Sequence, residues 1–448
     1  MAPRAYHGLI WAAAVVVGVS LACGCGAADD PVAPDAGSPD VPELDAMPAP
    51  DASGDTPCTQ ECLSETSLRE CTGGERIVEC ALGCVTAEAR CGTLAPSNGA
   101  STEHLLGVTG ALSVPEDAQV IVDISVGSIT IGGESVRNPG VGVNNGIGFQ
   151  YTADGLPVFA VQGFTMGARS NLRARGDQPL LILSARDVEI AGTIDVSAGC
   201  DSDPSVKTCG GPGGGRGAEN GILATGCGIG GDGSFQSPPV SIGGGGGGGS
   251  GQAGAAGGDG GFGAFGGFGG EACVPSLVSL RGGSGGGMSG TSLGGQGGGG
   301  GGAVQITSYT AIRLVSPAII DAGGSGGTVG IPAYGGGGGG SGGGILLEAP
   351  ILSLDGALLA ANGGGGGGGD DADGEDGRRD VEQARGGDSA GGLGGSLAGP
   401  PTAGTLVGGS GGGGGGAGLI HLHAPLANLS LTDTVTSPAP VRLDPQAE

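Results

Sequence analysis

PLLILSARDVEIAGTIDVSAG (residues 179–199), AVQITSYTAIRLVSPAIIDAGG (303–324), GILLEAPILSLDGALLAANGG (344–364) and LIHLHAPLANLSLTDTVTSP (419–438) repeat one pattern: two short β-like runs, closed by glycine in the first three. Placing Ile190, Leu314 and Leu354 in register brings Gly199, Gly323 and Gly363 into register without a gap, and Leu431 joins the column. Apolar residues alternate within each unit, as in Val188/Ile190, Ile312/Leu314, Leu352/Leu354 and Leu429/Leu431. That period of two belongs to a strand with one buried face. A single unit of this length cannot bury its own apolar face, so such units become stable by stacking, each covering the next. The expectation is an all-β chain, a parallel β-helix (solenoid) with long glycine-rich loops, preceded by a small disulfide-rich module. Alternation in VIVDISVGSITI (120–131) and PVFAVQGF (157–164) extends the predicted solenoid over residues 100–440. Its core is expected to be Val, Ile, Leu and Ala, because aromatic residues are only 3% of the chain.

Glycine supplies 111 of 448 residues. With proline added, that composition usually marks a disordered chain, and flexible linker is the plainer reading of the blocks. Two features favour order. Phe262, Phe265 and Phe268 in GGFGAFGGFGG are three apart, which on an extended helix of three residues per turn places the rings on one edge and glycine on the others. The blocks also fall on the same side of successive units, where bare backbones can approach and bond one another. Collagen is excluded by the lack of a sustained Gly-X-Y period.

Residues 1–22 read as a signal peptide: Arg4, the apolar run GLIWAAAVVVGVSLA (8–22), then Cys23 and Cys25. SLACGC resembles a bacterial lipoprotein signal, which implies lipidation of Cys23, with Cys25 as the alternative because Leu21 sits two before one and four before the other. Residues 23–57 join this anchor cysteine to a spacer of Asp, Pro, Ala and Ser that contains no basic residue and cannot form a core. The chain is therefore expected to be exported and held at the outer membrane or cell surface through an N-terminal lipid.

Cys58, Cys62, Cys71, Cys80, Cys84 and Cys91 follow within residues 58–92. In an exported chain they imply three disulfides in place of a core, with the pairing open. Zinc is disfavoured by the C-x3-C spacing and the absence of histidine within the cluster. Cys200, Cys209, Cys227 and Cys273 form a second even set that is expected to staple the longest glycine insertion.

The segment CLSETSLRECTGGERIVECALGC (62–84), with the glycine-loaded repeats downstream, resembles glycine-rich surface lipoproteins of the myxobacterial type. The resemblance implies a cell-surface location and carries no established activity with it.

Candidate chemistry is sparse. GGDDADGEDGRRD holds Asp371, Asp373, Asp376 and Asp380, and its D-x-D-G start resembles a calcium loop but lacks the later bidentate glutamate. A solvated loop tip is the favoured reading, with calcium at Asp371, Asp373 and Asp376 as the alternative and no other cofactor expected. His421 and His423 alternate with Ile420 and Leu422, so both rings are expected on the strand face opposite the core, exposed, with a transition metal as the weaker alternative. Asp195, Asp321 and Asp355 lie near strand ends without evident basic partners, and the gap-free alignment sets Asp195 against Ile319. The Asn-Thr-Asp, Asp-Asp and His-Gly sets of polygalacturonase-like β-helices are absent, so no catalytic residue is assigned. A Walker loop is excluded because Lys207, the only lysine, follows no such pattern. A net charge of −27 and few aromatic residues exclude nucleic acid as a partner.

The functional expectation is a non-enzymatic surface lipoprotein of structural or adhesive role, touching envelope glycans or other surface proteins. The alternative is a polysaccharide-active β-helix, a lyase or hydrolase with atypical catalytic residues.

Overall fold

The computed structural model describes residues 58–72, 74–200, 203, 205–237, 239–273, 280–331 and 334–444. Cys23, Cys25, the signal region and the acidic spacer lie outside the described residues. The described chain is nearly all β, built on three sheets of largely parallel strands.

Three strands in succession, Pro157–Val161, Phe164–Met166 and Asn171–Arg175, each enter a different sheet. The next three, Leu180–Ser184, Val188–Ile190 and Thr193–Asp195, pair with them in parallel, strand for strand. Three further tiers repeat the visit: Ala303–Ser308 to Ile319–Asp321, Gly344–Glu348 to Leu358–Ala360, and Leu419–His423 to Val435–Ser437. The alternating apolar residues of all three sheets point inward and fuse into one cluster that runs from Leu112 to Ala424. Val188, Ile190, Ile312, Leu314, Leu352 and Leu354 are wholly buried in it. Each such side chain contributes roughly 1.5–3 kcal/mol through removal from water.

The first tiers depart from the repeat. Residues 120–131 form an antiparallel hairpin, Gln119–Asp123 with Ser128–Ile131, because the residues between them turn the chain back. Phe149, Phe159 and Phe164 are buried there, so this end of the core is partly aromatic. Arg137 is also fully buried: its guanidinium donates to the carbonyl oxygens of Gly127, Asn138 (2.9 Å), Gly140 (2.7 Å), Gly142 (2.7 Å) and Ile147 (3.2 Å) and stacks over Phe149. Burial without a carboxylate partner pushes its pKa down.

The gap-free alignment also needs correction. Thr193 pairs with Ile319, so Asp195 lies opposite Asp321 rather than Ile319. Val315–Ala318 is two residues longer than the matching connection Ala191–Gly192, and the register slips by those two. Hydrogen bonds from Ala198 N to Gly323 O and from Gly324 N to Asn362 O carry the slip onward, so Gly199, Gly323 and Gly363 do not share a column.

The glycine blocks are ordered. Residues 241–250 are buried throughout, yet hold no strand beyond Ser241–Ile242. Their amides donate outward with a period of three. Gly243, Gly246 and Gly249 bond Ser234, Gly231 and Gly228; Gly244, Gly247 and Ser250 bond Gly258, Ala255 and Gln252; Gly245 and Gly248 bond Gly336 and Gly339. Their carbonyls accept with the same period from segments around Gly287, Gly270 and Gly413. The segment is therefore a three-residue-per-turn extended helix of polyproline type, which has no internal hydrogen bonds and takes all of them from six neighbours. Gly336–Gly343 is surrounded in the same way. Every amide of Gly243–Ser250 and Gly336–Gly343 thus finds a partner, as a buried backbone must.

Close approach, not backbone freedom, is what requires glycine here. A Cβ on Gly246 would strike the carbonyl of Phe268, one on Gly247 that of Gly414, and one on Gly338 that of Gly246. Gly338→Ala is expected to destabilise the chain by about 1–3 kcal/mol through overpacking against backbone that cannot swing aside. Gly261→Ala, whose Cβ meets only Ser241 Oγ at 3.8 Å, is expected to be near neutral. Chemical denaturation of the two variants checks this, and equal stability would contradict the packing account.

Candidate functional site

The disulfides pair Cys58–Cys71, Cys62–Cys84 and Cys80–Cys91 around the antiparallel strands Glu61–Ser64, Ser67–Glu70 and Arg76–Glu79. Cys200–Cys209 closes the loop where the chain leaves the tiers, and Cys227–Cys273 ties two glycine segments together, so the second set does staple the long insertion. An apolar cleft of about 570 Å³ separates the small module from the tiers, lined by Ala81, Leu82, Ile351 and Pro425. Asn428 Nδ2 bridges it to the Ala81 carbonyl at 3.2 Å.

The strand-end carboxylates do have basic partners. Asp195 accepts from Arg173 at 2.8 Å and from Arg379 at 3.4 Å, and Asp321 accepts from Arg379 at 2.6 Å. Arg379 comes from the acidic loop, far away in sequence, which is why no local pattern announced the pairing. Burial pushes the Asp321 carboxyl up, against the opposing pull of Arg379. Asp355 is exposed and stands apart from this ladder.

The acidic loop is spent on the glycine bundle. Asp376 accepts from Lys207 Nζ at 3.0 Å and from Gly326 N at 2.9 Å, and Asp373 from Val329 N at 2.7 Å. Asp371 is exposed. Among the described residues, no three His, Cys, Asp or Glu side chains converge in a way that holds a metal ion.

His421 and His423 do share the face opposite the core, but neither is exposed as expected: His421 is buried, only 3% exposed, and His423 is half-buried. The chain around residues 94–100 lies against that face, with Ala100 packed on Val158, Leu181 and Leu183. Beneath it Glu348 accepts from His423 Nδ1 at 3.0 Å, Ser97 N at 3.2 Å, Gln305 Nε2 at 2.9 Å and Thr307 Oγ1 at 2.9 Å. Burial alone would raise the Glu348 pKa, but these donors outweigh it and hold the carboxyl below its ordinary range. The Nε2 atoms of both histidines are buried without a hydrogen-bond partner. Burial, helped by the neighbouring His423, pushes the His421 pKa down. Thr307, Glu348 and His423 occupy one column of paired strands, so a parallel alignment of the tiers could have brought them together.

The bundle carries a second candidate. Gly243–Ser250 runs parallel to Gly336–Gly343 and to Gly411–Gly418, and the last two lead directly into the strands that begin at Gly344 and Leu419. One end of the bundle therefore stands on the tiers. The turns at the other end, at residues 235–237 and 239–242, 259–263, 291–294, 331 and 334, 370–371, 388–389 and 406–409, lie roughly 25 Å out, given about 3.1 Å of rise per residue. They touch one another: Ile331 N bonds Leu293 O at 3.3 Å, Ser410 Oγ bonds the carbonyls of Ile242 (2.7 Å) and Asp259 (3.2 Å), and Asp370 N bonds Asp388 at 3.1 Å. Phe265 and Phe268 are exposed on the flank, as the spacing implies, whereas Phe262 sits in the turn Gly261–Gly263 with φ +52° and leaves their edge.

No family model, curated protein or solved structure matches the chain.

The folded-state pKa of His421 lies below its unfolded value near 6.5, so its contribution is present above that pH and is lost as pH falls toward the folded value. Glu348, also depressed, adds its own loss only below the ordinary carboxylate range near 4.3. Stability is expected to start declining near pH 6.5, by up to about 1.4 kcal/mol per pH unit from His421, and His421→Gln should flatten that first phase. Denaturant titrations across pH 5–7.5 check this; an unchanged slope in the variant would contradict it.

Proposed function

We propose that this chain is an exported, lipid-anchored surface protein of structural or adhesive role, without catalytic activity, in which the parallel tiers close into a β-helix that carries the glycine bundle. The observation that supports this most is the display of a continuous set of turns about 25 Å from the tiers on hydrogen-bonded glycine helices. Loops held on a rigid scaffold are where recognition concentrates. Charged side chains nearer the tiers have structural work: Arg173, Asp195, Asp321 and Arg379 tie tiers to loop, and Glu348 holds the segment at Ser97.

In this reading the lipid sits on Cys23, the acidic spacer holds residues 58–448 off the membrane, and the partners are envelope glycans or proteins of facing surfaces. The likeness of residues 62–84 and the repeats to glycine-rich myxobacterial surface lipoproteins supports the same location.

Deleting the gene in the source organism is expected to lower cell-to-surface adhesion or matrix retention several-fold, with restoration by the wild-type gene but not by Cys23→Ser. Unchanged adhesion, envelope integrity and matrix retention in the deletion strain would remove the proposal.

A further inference from the structure

Seven of the bundle's turns lie at the end away from the tiers, and five of them carry large exposed apolar side chains. Val240 is 58% exposed, Phe262 78%, Leu293 56%, Ile331 49%, Leu406 56% and Val407 49%. Behind them the helices are mostly glycine, with Phe265 and Phe268 exposed on one flank, so large apolar side chains recur where the chain reverses. Reversal by itself requires no such residues, since turns are ordinarily built from Gly, Asn, Asp, Ser and Pro. Exposed apolar side chains gathered on one end of a molecule among acidic ones mark an interaction site.

The rim has one sign. Asp259, Asp370, Asp371 and Asp388 are exposed on these turns, and none of the seven turns contains Lys or Arg. From residue 217 to residue 280 the sequence has no basic residue at all. Asp259 Oδ1 accepts from Gly266 N at 2.9 Å and Asp388 Oδ2 from Asp370 N at 3.1 Å, so both carboxylates are held in place by backbone rather than neutralised by a cation.

We infer that the distal turns of the glycine bundle form a docking surface for a basic protein partner, one that presents Lys or Arg around an apolar patch. Charge complementarity selects this occupant. A second copy of the chain would bring aspartate against aspartate, and an anionic lipid surface would meet the same repulsion, whereas a basic rim pairs with the acidic one while the apolar centres lose water together. The exposed apolar residues supply the affinity and the aspartates supply orientation and rate of encounter. This inference deepens the adhesive reading and rests on it, by naming the class of partner the displayed end takes.

The test uses the purified full-length chain and a labelled amphipathic peptide with one leucine face and one lysine face, beside its glutamate counterpart. The chain is expected to bind the lysine peptide and not the glutamate one, with affinity falling several-fold between about 50 and 300 mM salt as the rim charges are screened. Phe262→Ser with Leu406→Ser is expected to weaken binding at least tenfold without changing the denaturation midpoint, because both side chains are exposed. Asp259→Asn with Asp388→Asn removes two of the four rim charges and should about halve the salt dependence. No binding of the lysine peptide, equal binding of both peptides, or undiminished binding by the Phe262/Leu406 variant overturns the inference. Binding of phosphatidylcholine–phosphatidylglycerol vesicles, or self-association in sedimentation, that the same variant loses while the lysine peptide stays unbound also overturns it, in favour of a membrane or a second copy. The gene-deletion phenotype is independent of these measurements, so its persistence beside a failed peptide assay leaves the adhesive reading standing and removes only the partner assigned to the turns.

Discussion

Backbone bonding to backbone, at a separation that leaves no space for a side chain, is the constraint on which the structure depends. At the centre of the bundle the extended helices Gly243–Ser250 and Gly336–Gly343 give and take their hydrogen bonds laterally, in three directions each, and the vacant Cβ positions are filled by carbonyl groups of the neighbours. The conformational entropy lost in ordering glycine is larger than for any other residue. It is offset because the segments bond as a lattice instead of one pair at a time, and because both ends of most excursions are pinned by strands already stacked in the tiers.

The tiers and the bundle therefore stabilise each other. Parallel pairing sets the strand ends Asp321, Gly344, Ala360 and Leu419 at one edge of the molecule, and the glycine segments leave and return there. Arg379 reaches back from the acidic loop to Asp195 and Asp321, and Lys207 reaches across to Asp376, so charges far apart in sequence lock loop to tier. The Cys227–Cys273 bridge adds a covalent tie between neighbouring helices.

Chemistry follows the same economy. Glu348 is buried beneath the segment around Ser97, where a satisfied carboxylate holds a covering stretch of chain, and the depressed pKa of buried His421 makes that joint sensitive to protons. The distal turns stay exposed, and the extended helices hold them away from the tiers much as a stiff rod holds its tip.

The alternation of Val188, Ile190, Ile312, Leu314, Leu352 and Leu354 determined by itself that the chain is β and that its units stack, because a period of two with too small a face leaves no other way to bury it. The three-residue spacing of Phe265 and Phe268 likewise announced an extended helix with an exposed edge. Tertiary structure alone decided the register that sets Asp195 against Asp321, the burial of His421, the disulfide pairing and the meeting of the turns at one end. Each of these depends on which segments become neighbours, and a run of identical glycines carries no label that tells one neighbour from another until the strands at its ends have taken their places.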